Sequence, residues 1–88
     1  MKIRQIKAFL AVVKTGSVRR ASVELNLAQS TVAKAITQLE ADLGSPLFDR
    51  NTMGLRLNDA GQSLLPYAET IVANGEVLGF WDSNRIEF

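Results

Sequence analysis

Between residues 17 and 44 the apolar positions fall on two short helical periods separated by a tight turn. Val18, Ala21 and Leu25 share one face of a helix expected over about 18–25, with Arg19, Arg20 and Glu24 left outward. Val32, Ile36, Leu39 and Leu43 mark one face of a second helix, expected from Gln29 to Leu43 and stopped by Gly44 and Pro46. Asn26 and Leu27 supply the short turn, with Leu27 plugging the angle between the helices, so the pair reads as a helix-turn-helix. Opposite the apolar stripe of the second helix stand Gln29, Ser30, Ala33, Lys34 and Thr37. This face joins an amide able to bond bidentately with a base edge, a cation for phosphate or guanine, and small residues that permit close approach. It carries no acid, since Glu40 and Asp42 come only later.

The flanks extend the pattern. Ile3, Ile6, Phe9, Leu10 and Val13 predict a first helix over 2–14, leaving Lys2, Arg4, Lys7 and Lys14 for solvent or phosphate; Gly16 ends it and Ser17 caps the next. Alternation in 47–50 and 55–57 around Asn51-Thr52-Met53-Gly54 predicts a small hairpin, whose two arginines favour a wing over a packing flap. Asn58 is a good cap, and Asp59 suits the first turn of a final helix. Leu64, Leu65, Ala68, Ile71, Val72, Gly75 and Leu78 form its stripe, long for the little that is left to pack on, which reads as a dimerisation or linker helix. The same stripe could fold back on the first helix, and both readings can hold for different turns. Pro66 is expected early enough for its kink to cost little. The predicted class is therefore mainly α: a winged helix-turn-helix over 1–57, a linker helix over 58–78, and a tail over 79–88 that loses the period. Exposed Phe80 and Trp81 suggest cover by a partner chain or a further domain, unless the last residues are extraneous.

Composition narrows the function. The 88 residues, 47% hydrophobic, suffice for one domain without a metal or disulfide. With no Cys and no His, the chain lacks thiol and imidazole chemistry, and neither metal nor cofactor is expected. Glu40 and Asp42 are two apart on a helix and do not face each other, so no carboxylate pair supports an enzyme. No apolar run approaches the roughly 20 residues of a membrane span, and no signal-peptide core follows Met1, which points to a cytoplasmic protein. The net charge of +1 hides an asymmetry. Residues 1–57 hold nine basic groups against four acids, net +5, while residues 58–88 hold Arg85 against five acids, net −4. A basic half of this kind suits a polyanion.

Phe9, Gly16-Ser17, Ala21, Leu25, Gln29, Ala35-Ile36, Leu39-Glu40, Leu43-Gly44, Pro46-Leu47-Phe48 with Arg50, Gly54, Leu57, Ala60-Gly61 and Leu64-Leu65-Pro66 occur in this order and spacing. In these residues, over nearly all of 1–78, the chain resembles the N-terminal DNA-binding region and linker helix of the bacterial LysR-type transcriptional regulators. The resemblance implies a winged helix-turn-helix that binds inverted-repeat operators as a homodimer, within a tetramer when an effector-sensing domain follows. It further implies that this sequence is the DNA-binding part of such a regulator, as a fragment more than as a truncated gene product. By position it makes Gln29 the leading base reader, Lys34 the basic residue of the recognition helix and Arg50 the backbone anchor before the wing. Ala28 replaces a common Ser that would cap the recognition helix, Ser30 a common Pro, Ala33 a common Ser, and Met53 a common wing Arg, for which Arg56 is a possible substitute.

The expected partner is double-stranded DNA, read in the major groove. Gln29 would face an adenine or another base edge, Ser30 and Thr37 would bond phosphate or base, Thr31 would lie among the DNA contacts, and Ala33 would allow close approach. Arg19, Arg20, Lys34, Arg50 and Arg56 would neutralise phosphates, with Met53 at the wing. Lys2 and Arg4 are not counted among the contacts. The rival class is a helical interaction module, dimerising through 59–78 without productive DNA binding.

Overall fold

A computed structural model describes residues 1–51 and 54–73. The order is α1 (Ile3–Thr15), α2 (Val18–Leu25), α3 (Gln29–Leu43), β1 (Phe48–Asn51), β2 (Gly54–Leu57) and α4 (Asp59–Ala73). The two strands pair antiparallel, Phe48 with Leu57 and Arg50 with Leu55, so the expected hairpin is present and one residue longer at each inner end.

α1 is the axis of the fold, touching α2, α3, α4 and β2. The sequence pattern assigned it one apolar face, but Ala8, Ala11 and Val12 are buried beside Ile3, Ile6 and Phe9, so most of its circumference is enclosed. Three small or β-branched residues in one helix let neighbours approach from several sides at once. The core joins Ile6, Phe9 and Val12 to Ala21, Val32, Leu39, Leu47 and Ala68. Phe9 and Phe48 meet with ring centroids 5.6 Å apart at 51°, a tilted pairing that favours edge-to-face electrostatics.

The stop signals work as their chemistry requires. Gly16 and Gly44 end α1 and α3 in the left-handed conformation, with φ of 79° and 75°. Asn26 does the same for α2 at φ 60°, a conformation its short polar side chain tolerates. The Ser17 hydroxyl accepts from the Arg20 amide at 2.9 Å, and Asn58 Oδ1 accepts from the Gly61 amide at 2.8 Å, capping α2 and α4. As Ala28 implied, no side chain caps α3.

Three expectations need correction. Leu43, placed on the buried face of α3, is 41% exposed, because Gly44 ends the helix before anything covers its last turn. Pro66 sits at the middle of the described α4 rather than early; the helix runs through it and leaves the Gln62 carbonyl without its helical donor. Ala68, assigned to dimerisation, is fully buried in the chain's own core. Leu64, Leu65 and Val72 also lean on that core, so the near side of α4 folds back as the alternative reading held. Gly75, Leu78 and the tail over 79–88 lie outside the described residues.

α4 can reach the core because Gly61 has no side chain: a Cβ there would overlap the Leu47 carbonyl oxygen and the Leu57 side chain. Gly61→Ala is expected to cost about 1–3 kcal/mol by overpacking, lowering the midpoint of thermal unfolding by roughly 4 °C or more. A melt superimposable on that of the native chain would show that α4 is not seated there.

Candidate DNA-reading surface

The turn between α2 and α3 fixes how α3 is presented. Asn26 reverses the chain, the Leu27 amide donates to the Ser22 carbonyl at 2.9 Å, and half-buried Leu27 packs on the core. Ser22 is buried with its hydroxyl donating to the Arg19 carbonyl at 2.6 Å, which satisfies it without a partner from α3. Val32, Ala35, Ile36 and Leu39 then pin α3 inward, and Gln29, Ser30, Thr31, Ala33, Lys34 and Thr37 are all exposed along its outer side. The first turn of α3 bonds Thr31 and Val32 back to the Ala28 carbonyl at 3.1 and 3.2 Å. Among the described residues, the amides of Gln29 and Ser30 have no acceptor and point from a positive helix end.

The exposed side of α3 is bordered by two grooves. Toward the hairpin, Ala33 and Thr37 share a cleft of about 200 Å³ with Val18, Arg50 and Leu55. The structure thus brings Arg50 beside the predicted face. On the other flank Thr31 and Lys34 share a groove with Lys2 and Arg4 from the start of α1. That neighbourhood was not legible along the chain, where some thirty residues separate the two pairs.

Two other groups of predicted residues lie apart. Arg19 and Arg20 are exposed on the outer side of α2, in a shallow groove with Thr15, Ser17 and Val23. Arg56 opposes Asp49 in the hairpin register, whereas Arg50 opposes Leu55. Alternation puts these pairs on opposite faces of the hairpin, and Arg56 borders a groove with Val13 and Gln62, away from α3. Arg56 therefore stands on the opposite face of the hairpin from Arg50. Met53 lies outside the described residues.

Glu40 has a role the sequence reading missed. Its carboxylate accepts from the Leu47 amide at 2.8 Å, tying the last turns of α3 to the entry of the hairpin. Its signal was its place four residues before Gly44-Ser45-Pro46, where the chain must turn back with an amide to satisfy. The hairpin is also held by main-chain bonds, from the Leu55 amide to the Gly16 carbonyl at 3.1 Å and from the Asn58 amide to the Leu47 carbonyl at 3.0 Å. At Gly54 a Cβ would stand 2.8 Å from the Gly16 oxygen, so only glycine allows this close seat. Arg50 therefore owes its position beside α3 to contacts made by α1, α3 and the chain just before α4.

A three-helix core with its third helix exposed along a polar, acid-free face and flanked by a two-stranded hairpin is a winged helix-turn-helix, a fold built to read DNA. The chain belongs to the LysR family: residues 3–62 match the family of bacterial regulatory helix-turn-helix proteins of the lysR type. It is 46% identical over 71 residues to the HTH-type transcriptional regulator GalR of Pseudomonas putida, covering 81% of this chain and 18% of that protein. It is 45% identical over 87 residues to the regulator HdfR of Escherichia coli O139:H28, covering 99% of this chain and 29% of HdfR. The chain thus spans less than a third of these relatives, both named transcriptional regulators. Its structure resembles that of the CbnR DNA-binding domain in its DNA complex, with a TM-score of 0.79 and 36% identity over 83% of this chain and 84% of that one. The BenM DNA-binding domain in complex with benA site 1 DNA gives 0.82 and 28%, over 89% of this chain and 91% of that one. Among the described residues, no helix is long and apolar enough to cross a membrane.

The tie made by Glu40 can be tested directly. Glu40→Ala leaves the Leu47 amide without its acceptor and is expected to cost about 1–3 kcal/mol, whereas Glu40→Gln keeps a carbonyl in place and should lose less. Denaturant melts of the three proteins distinguish the cases; equal stability of native and Glu40→Ala would mean that the bond holds nothing.

Proposed function

We propose that this domain binds double-stranded DNA sequence-specifically, with α3 in the major groove, as the DNA-binding part of a cytoplasmic transcriptional regulator. The observation that carries the reading is the outer face of α3, exposed and free of acids from Gln29 to Gln38. Gln29 reads a base edge through its amide, and Ala33 lets the helix come close. Ser30, Thr31 and Thr37 bond phosphate or base. Lys34 serves as a phosphate contact more than a guanine reader, because an ammonium lacks the planar fork of arginine. Arg50 reaches the backbone from the wing side, Arg19 and Arg20 add charge from α2, and the free amides at the start of α3 suit a phosphate.

A second domain on a two-fold axis doubles the contact and favours an inverted repeat, with reading helices about one DNA turn, or a multiple, apart. For the joint we propose the outer side of α4. Ala68 is committed inward, but Tyr67 is 69% exposed, and it shares a helical stripe with Leu64 and Ile71. A tetramer, and the sensing of a small-molecule effector, belong to the longer polypeptide that the relatives' lengths suggest. A non-binding interaction module is the weaker reading, since it gives the acid-free face of α3 no role.

Selection of bound sequences from a random duplex pool, with binding measured across a salt series, tests the reading. The native chain should enrich an inverted repeat. Gln29→Ala should relax one base position at a cost of about 1–3 kcal/mol, and Lys34→Ala should weaken all sequences alike and reduce the salt slope by roughly 0.9. A folded native chain that binds no duplex at low salt would sink the proposal. For the joint, Tyr67→Glu should shift the sedimenting species from dimer to monomer while leaving the fold intact; unchanged mass would remove α4 as the interface.

A further inference from the structure

We infer that Lys2 and Arg4, at the start of α1, form with Lys34 a second phosphate-binding ridge that grips the DNA strand on the side of α3 away from the wing. The inference rests on the proposed reading that α3 enters the major groove, and it adds two residues from outside the helix-turn-helix.

Three observations support it. The groove of about 430 Å³ along this flank of α3 is lined by Lys2, Arg4 and Lys34 together with Thr31 and Gln38, and by no acidic side chain. Lys2, Arg4 and Lys34 are exposed and, among the described residues, form no ion pair. Asp42, in the neighbouring groove that Lys2 also borders, is engaged by the Met1 amino nitrogen at 3.3 Å. Three like charges gathered along one groove, none of them in an ion pair, repel one another and are relieved by an external anion.

The place of two of these cations sharpens the point. Lys2 and Arg4 stand at the N-terminal end of α1, whose first turn carries no acidic residue. A helix dipole makes that end positive, so cations there are disfavoured by the chain's own electrostatics and gain from a phosphate nearby.

Geometry then selects the strand. A helix with its side chains is about 10–12 Å across, and the major groove is about 12 Å wide. A helix seated in that groove therefore has a sugar-phosphate backbone along each flank. Arg50 borders the flank of α3 that carries Ala33 and Thr37, and Lys2 and Arg4 border the flank that carries Thr31 and Lys34. The two sets of cations thus face different strands and hold α3 from both sides.

The test is fluorescence-anisotropy titration of a duplex of mixed sequence over a salt series, for the native chain and for Arg4→Gln, Lys2→Gln and Arg4→Lys. Each of Arg4→Gln and Lys2→Gln should lower the slope of log affinity against log salt by roughly 0.9, weakening binding several-fold at low salt for every sequence alike. Arg4→Lys should keep the native slope. Thermal melts of the exposed-site variants check that the fold is retained, and Lys2→Gln lies before the first helical residue should Arg4→Gln disturb α1. The inference is overturned if the native chain binds and neither Arg4→Gln nor Lys2→Gln changes the slope. If the native chain shows no salt-dependent binding, the DNA-reading proposal itself falls, and this ridge with it.

Discussion

The enclosure of α1 is the constraint on which the other elements depend. A helix with Ile6, Phe9 and Val12 fully buried cannot be covered by one neighbour, so α2, α3, α4 and the hairpin must each take a sector of its surface. Phe9 reaches the hairpin through Phe48, Val32 and Leu39 bring in α3, and Ala68 brings in α4. With its apolar residues spent against α1, α3 turns the remainder of its circumference outward by default. The exposed polar face of α3 is thus the complement of a packing solution: a polar strip can remain there because the core asks nothing of it.

Local signals were strong enough to place α2 and α3 at their observed limits, since each has a residue that starts or stops it for a clear reason. Ser17 caps, Asn26 and Gly44 take left-handed conformations, and the apolar spacing between them admits one face. What was illegible came from contacts between distant segments. The extra burial of Val12, the inward commitment of Ala68 and the exposure of Leu43 depend on what happens to lie across the space, and periodicity alone does not report that. The same holds for the site. Gln29, Ala33, Lys34 and Thr37 could be grouped from their spacing on one helix, whereas the neighbours of Lys34 on α1 and the bond from Glu40 to the hairpin required the fold. The strand alternation that separates Arg50 from Arg56 was present in the sequence, but it acquired meaning only once the register was known.

Buried polar groups follow a similar economy. Gln5, 4% exposed, accepts from the Lys2 amide and extends its own amide toward Gln38 at 3.4 Å, which links the start of α1 to the exposed flank of α3. Asn58 serves three groups at once, capping α4, donating its side-chain amide to the Pro46 carbonyl and its main-chain amide to Leu47. Each such residue stands where two elements meet, so the satisfaction of a polar group and the setting of an angle between elements are the same event.

The seat of the hairpin has a consequence for how the family can diversify. Its base and its inner strand are fastened through main-chain atoms, at Leu47 with Asn58 and at Gly16 with Leu55, and the glycine at 54 makes room for that approach. Main-chain fastenings are indifferent to which side chains the outward strand positions carry. Mutation at those positions can therefore rewrite what the hairpin touches while its attachment is inherited unchanged, so a lineage of such domains can explore new targets from a fixed mechanical footing.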